Sequence, residues 1–120
     1  MSGILSPALE DYLLAHSAPA DALLTELAAE TRERFGDQAG MQISADEGAL
    51  LTLLTRLAGA RHAVEVGTFT GFSAICIARG LAPGGRLLCC DVSETFTAVA
   101  RDYWAKAGLE DRIELRLAPA

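Results

Sequence analysis

A chain of 120 residues has room for one domain, and a composition 51% hydrophobic and 22% charged is that of a folded globular protein rather than a disordered one. The formal net charge of −6, with no Lys/Arg cluster, argues against nucleic-acid and anionic-membrane partners, and no apolar run is long enough to span a bilayer. Residues 1–14 carry Glu10 and Asp11 and no basic region, so they do not read as a signal peptide, and three cysteines, two of them adjacent, fit a reducing cytoplasm.

Ser6 can cap a first helix over Pro7–Ala15, with Leu9, Tyr12 and Leu13 on one side. Ser17-Ala18-Pro19 restarts the chain, and Pro19 suits the first turn of a second helix. Leu23, Leu24, Leu27 and Ala28 recur there at helical spacing until Phe35-Gly36, with Glu26, Glu30, Arg32 and Glu33 on the wet face. This part reads as a lid or dimer arm without chemistry of its own. Gly36 to Gln42 reads as a loop. Ser44-Ala45-Asp46-Glu47 then matches a capping box, Ser-x-x-Glu. Leu50, Leu51, Leu53, Leu54 and Leu57 make the following helix apolar on most of its circumference, so it is expected to be well buried. Gly59 stops it. His62, one of two histidines, has no neighbour for metal or acid–base work and reads as structural or solvated.

The stretch from Ala63 to Ser73 organises the rest. It reads as a buried strand ending at Gly67, a tight turn, and a helix opening near Gly71. A strand–turn–helix of this kind collects backbone N–H groups and a helix N-terminus at one point, which suits an anionic or polar ligand group. Gly67 is expected to take a positive φ and admit a ligand closely. Gly71 is expected to remove a Cβ where the helix packs back on its own strand. On this reading Gly67 is the less replaceable of the two. The spacing is Glu-x-Gly-x-x-x-Gly from Glu65, not Gly-x-Gly-x-x-Gly, and the wider turn fits a nucleoside with an amino-acid tail better than a pyrophosphate. Asp91, twenty positions after Gly71 at the end of the apolar run Arg86–Cys90, is placed to bind ribose hydroxyls.

Ser73–Arg79 reads as helix with Ile75 and Ile77 facing inward, and Pro83-Gly84-Gly85 as a turn into the second strand. Cys89 and Cys90 are neighbours in that strand, point to opposite faces, and read as packing rather than redox or metal chemistry. Ser93 or Thr95 can cap a helix to about Lys106, packed through Phe96, Val99, Tyr103 and Trp104 and stopped by Gly108. Residues 112–117 alternate polar and apolar, as a third strand with an exposed face or edge does. The fold class is therefore α/β: N-terminal helices over 1–58, then a βαβαβ half of a doubly wound, Rossmann-like sheet over 62–120, in one domain.

Met41-Gln42-Ile43-Ser44-Ala45-Asp46-Glu47-Gly48 and Glu65-Val66-Gly67-Thr68-Phe69-Thr70-Gly71-Phe72-Ser73 resemble segments of the S-adenosylmethionine (SAM)-dependent O-methyltransferases of the caffeoyl-CoA and catechol type. The resemblance runs from about residue 20 to the end. It implies that Glu65 and the backbone of Gly67 and Thr68 line the methionine and ribose part of SAM, with Phe69, Gly71 and Val92 in the same site. It implies that Ser73 bonds the cofactor carboxylate, that Asp91 takes the ribose hydroxyls, and that Met41 and Ile43 cover the cofactor near the substrate. Ala118-Pro119-Ala120 stands where the family has Gly-Pro-Ala, so Ala120 would touch the adenine; Phe72 stands where the family often has Tyr. The implied activity is methyl transfer to a small hydroxylated, catechol-like acceptor, assisted by a divalent cation such as Mg²⁺, in a cytoplasmic homodimer. Family members run on for roughly another hundred residues, where the metal ligands and the catalytic base would lie, so the 120-residue chain alone is expected to be inactive and poorly stable as a monomer. Two alternatives are a nicotinamide-dependent oxidoreductase, for which Asp91 would also serve, and a non-catalytic dimerisation or interaction module.

Overall fold

The computed structural model describes residues 4–120. Helix α1 (Pro7–His16) opens on Ser6, whose Oγ accepts from the Leu9 N–H at 3.4 Å. Helix α2 (Ala22–Phe35) starts at Asp21, whose Oδ1 accepts from the Leu24 N–H at 2.9 Å; Pro19 lies in the preceding linker, not in the helix. A carboxylate accepts more strongly than the fixed φ of a proline pre-orders, and the cap sits where the carboxylate is. The segment Gly36–Met41 is a 3-10 helix rather than a loop. Helix α3 (Ala45–Leu57) begins at Ser44, but the capping box does not form: the Ser44 side chain makes no cap bond, and its hydroxyl helps to hold Asp46 below the usual carboxylate range.

Strand β1 (His62–Val66), helix α4 (Phe72–Gly80), strand β2 (Arg86–Asp91), helix α5 (Glu94–Lys106) and strand β3 (Ile113–Leu117) complete the chain. The three strands are parallel in the order β1-β2-β3, with Glu65 beside Cys89 and Leu115 in register. This is the βαβαβ arrangement expected from sequence. Ser93 caps α5 by accepting from the Phe96 N–H, and Gly108 follows with φ 71°. The core lies on one face of the sheet. Leu87, Cys89 and Ile113 meet Ala74, Ile75 and Ala78 of α4, Val99, Ala100 and Tyr103 of α5, and Leu24 and Leu27 of α2. Burial pushes the Cys89 and Cys76 thiols up to about 12 and 11, which leaves them inert packing groups.

Two burial expectations fail, for one reason. Leu50, Leu53, Leu54 and Leu57 of α3 are 51–75% exposed, and only Gly48 of that helix is buried. Val64 and Val66 of β1 are 66% and 68% exposed. Apolar periodicity states which surface avoids water; it does not supply the element that covers it. Among the described residues nothing packs on the second face of the sheet, although parallel sheets are normally covered on both. No helix among them is long and apolar enough to cross a membrane.

Candidate functional site

The β1–α4 turn is built by its neighbours. Gly67 and Gly71 both take positive φ, 87° and 90°, and Phe69 between them sits at φ 52°, a conformation that costs a non-glycine residue about 1–2 kcal/mol. Asp91 offsets that cost. Its Oδ2 accepts from the N–H groups of Thr68 at 2.8 Å and Phe69 at 2.9 Å, and its Oδ1 from Val92 at 2.7 Å and Ser93 at 2.9 Å. Burial opposes the charge, but these four donors prevail and hold Asp91 below the usual carboxylate range. The Phe69 ring is clamped edge-on to Phe96 at 4.8 Å, and Phe96 in turn to Phe35 at 4.9 Å. Thr70 and Thr31 of α2, both fully buried, share a hydroxyl hydrogen bond of 2.9 Å.

Gly71 is the N-cap of α4 and supplies no side-chain cap, so the first N–H groups of the helix face outward without partners from it. They border a cleft of about 120 Å³ lined by Met41, Gln42, Ile43 and the whole turn Gly67–Ser73. The cleft therefore unites Met41, Ile43, Gly67, Thr68, Phe69, Gly71 and Ser73 of the expected set. Glu65, Asp91, Val92 and Ala120 are not in its wall: Asp91 braces the turn from beneath, Val92 is 75% exposed, and Ala120 is exposed after β3. Gln42, Thr70 and Phe72 were not singled out as site residues and do line it. Two buried atoms there have no hydrogen-bond partner, Gln42 Oε1 and Thr68 Oγ1. The Thr68 hydroxyl lies close enough to the Cys89 thiol to hold it lower than burial alone would, without a formed hydrogen bond between them. Buried polar atoms are normally paired, so these two stand out beside the uncapped start of α4. A far larger groove, about 960 Å³, lies between α1, the start of α2, α3 and α4. It is the space left by the exposed leucines of α3, and the site follows the chemistry of the turn rather than the larger volume.

Gly71 does not pack on its own strand as expected. A Cβ there would lie 2.8 Å from Ala100 Cβ and 2.8 Å from Trp104 Nε1, so the partner is α5; a Cβ at Gly67 would meet nothing within 4 Å. Trp104, 3% exposed, anchors that contact by donating to Gly71 O at 3.5 Å.

Glu65 sits on the core face of β1, one residue from its end. Ser73 Oγ donates to its Oε1, and Cys89 Sγ lies 4.0 Å from Oε2. Burial, helped by the Asp91 charge and opposed by the Ser73 bond, pushes Glu65 up to about 7. The folded value lies above the ordinary 4.5, so its stabilising effect is complete below about pH 4.5 and is lost as pH rises through 7. Glu65→Gln is therefore expected to be near neutral at pH 4.5 and to stabilise the chain by about 2 kcal/mol near pH 8, allowing for solvent screening. Urea denaturation at the two pH values checks this; equal effects at both would remove the buried-charge penalty.

Among the described residues no group of three or more His, Cys, Asp or Glu side chains could hold a metal ion. The O-methyltransferase family model matches residues 14–120. The caffeoyl-CoA O-methyltransferase of Populus kitakamiensis is 36% identical over 114 residues, covering 92% of this chain and 48% of that protein. The catechol O-methyltransferase of Mycobacterium tuberculosis is 40% identical over 78 residues, 65% of this chain and 36% of that one. The structure of the Bacillus cereus O-methyltransferase in complex with SAH superposes with a TM-score of 0.82 at 34% identity, over 91% of this chain and 49% of that one. The chain thus spans about half the length of the relatives it matches most fully. With the parallel sheet, the glycine turn and the match over residues 14–120 in agreement, the chain belongs to the O-methyltransferase family.

Proposed function

We propose that this chain is the SAM-binding half of a cation-assisted O-methyltransferase that acts on a small hydroxylated, catechol-like acceptor, in the cytoplasm and as a homodimer. The helices of 1–58 would frame the site and the βαβαβ unit of 62–120 would hold the cofactor. The observation that carries the reading is the cleft at the start of α4, where uncapped N–H groups and the orphaned Thr68 hydroxyl converge. At about 120 Å³ the cleft is smaller than whole-ligand pockets of roughly 300–1,000 Å³, and it suits one end of a ligand, the amino-acid end. The N–H groups of the first turn of α4 and the Ser73 hydroxyl would hold the carboxylate, with Gly67 leaving room above the backbone. Met41 and Ile43 would cover the ligand, and Val92 and Ala120 would follow its ribose and adenine along the strand tips, with Asp91 holding the turn from beneath. The bound cofactor supplies an electrophilic methyl group on a sulfonium sulfur. The protein's part on this side is to bind and orient the donor. The described residues offer no set of ligands for the cation. The complexes of relatives from Bacillus cereus with SAH and from Streptomyces achromogenes with SAM support the choice of cofactor over a nicotinamide.

Thr68→Val tests the reading. The hydroxyl has no protein partner, so its loss leaves folding stability unchanged or slightly raised. SAH affinity is expected to fall about tenfold, the worth of one lost hydrogen bond. Calorimetric titration of the wild type and the variant with SAH decides it. Equal affinity would take Thr68 out of the ligand site.

A further inference from the structure

We infer that Glu65 is a positioning residue for the amino-acid end of the cofactor, acting through Ser73, and that the ligand carboxylate enters the cleft together with one proton taken up by Glu65. The inference rests on the cofactor reading above. Ser73, in the first turn of α4, lines the cleft, and its hydroxyl proton is spent on Glu65 Oε1. A hydroxyl has one proton. While that proton points at Glu65, Ser73 shows the cleft only lone pairs, which repel a carboxylate. To donate to the ligand the hydroxyl must turn round, and Glu65 is then left without its one oxygen-bound donor.

The surroundings of Glu65 do not tolerate a bare charge. Asp91 on β2 acts on it with like charge, and the Cys89 thiol on β2 and the Cys76 thiol on α4 both sense its charge from buried positions. No cation is among the groups that act on it. A proton drawn from solvent relieves this. The neutral carboxyl then donates to Ser73 Oγ, and Ser73 donates onward to the ligand. The same heavy atoms stay in place and only the direction of the hydrogen bonds reverses. Ionised Glu65, SAH and one proton from the buffer give protonated Glu65 with SAH bound, so charge and atoms balance. Burial has already raised Glu65 to about 7, so the proton is available near neutral pH. The unpartnered Thr68 hydroxyl, 3% exposed in the same cleft, independently marks the place as one built for a ligand.

The test is calorimetric titration of the whole chain with SAH near pH 8 and near pH 5.5, in phosphate and in Tris, whose ionisation heats differ. The expected result is uptake of about one proton per SAH at the higher pH and almost none at the lower, with affinity falling about tenfold per pH unit above 7. Glu65→Gln keeps a donor for Ser73 and is expected to bind SAH without pH dependence and without proton uptake. Ser73→Ala, a second probe should the first variant not fold, is expected to bind more weakly and also without uptake. Binding by the wild type with no proton uptake, or uptake that survives in either variant, overturns the inference while leaving the cofactor reading intact. No SAH binding at any pH overturns that reading, and the inference with it.

Discussion

Asp91→Ala is expected to cost about 4 kcal/mol of folding stability near pH 7, well beyond an ordinary surface carboxylate. The carboxylate uses about four acceptor directions, and each is filled by a backbone N–H. Charge-assisted bonds of this kind contribute about 1.5–3 kcal/mol each. Water can replace part of that at the exposed Val92, which lowers the sum. What water cannot replace is the hold on Phe69, whose positive φ depends on that bond and on the ring cluster around it. Asp91→Asn keeps the shape but turns an NH₂ toward two N–H groups, and about half the loss is expected. The folded value lies below the ordinary one, so the contribution is complete above about pH 3.8 and disappears as pH falls through the folded value. Urea denaturation of the three proteins near pH 7 and pH 3 measures this, and Asp91→Ala within 1 kcal/mol of wild type at neutral pH would remove the brace. Because the turn itself depends on Asp91, lost SAH affinity in this variant would not identify a ribose contact.

The order of elements was legible because local chemistry decides it. Gly59, Gly84-Gly85 and Gly108 punctuate the chain, and Ser6 and Ser93 cap the helices they precede. The glycine turn was legible for the same reason, and the acidic residue at the second strand tip was legible by position but not by its part in the turn. The brace itself was not, since Asp91 reaches back 22 and 23 residues to Phe69 and Thr68, and Thr31 reaches 39 to Thr70. Sequence periodicity carries no information about such pairs. The capping box at Ser44 shows the opposite failure, a correct local pattern in which the hydroxyl turns toward a nearer carboxylate instead of the helix N–H groups. The Ser44 hydroxyl acts on the carboxylate of Asp46, one residue before Glu47, and the cap of α3 is left without it. The leucines of α3 and the valines of β1 were read correctly as apolar and wrongly as buried, because burial depends on what lies opposite.

Gly71→Ala is expected to cost about 3–4 kcal/mol, against about 1–2 kcal/mol for Gly67→Ala, the reverse of the order that the turn alone implies. Both positions have φ near 90°, so the backbone penalty is shared. The difference is space. At Gly67 the new methyl group points into the open, where it would meet only a ligand. At Gly71 it would lie 2.8 Å from Ala100 Cβ and 3.1 Å from Ala100 Cα, and backbone on a helix cannot yield as a flexible side chain does. Helix α5 would have to move away, which lengthens the Trp104 bond to Gly71 O and shifts Phe96 from Phe69. The turn would lose its clamp along with its cap. Ala100→Gly supplies the check. Alone it costs about 1 kcal/mol for a glycine inside a helix. Combined with Gly71→Ala it removes the 2.8 Å contact with Ala100 Cβ and leaves those with Ala100 Cα and Trp104 Nε1, so the pair is expected to lose at least 1 kcal/mol less than the sum of the two. Denaturation of the four proteins in the cycle measures that coupling. Strict additivity, or a Gly71→Ala variant as stable as Gly67→Ala, would mean that α5 does not press on the turn at this point.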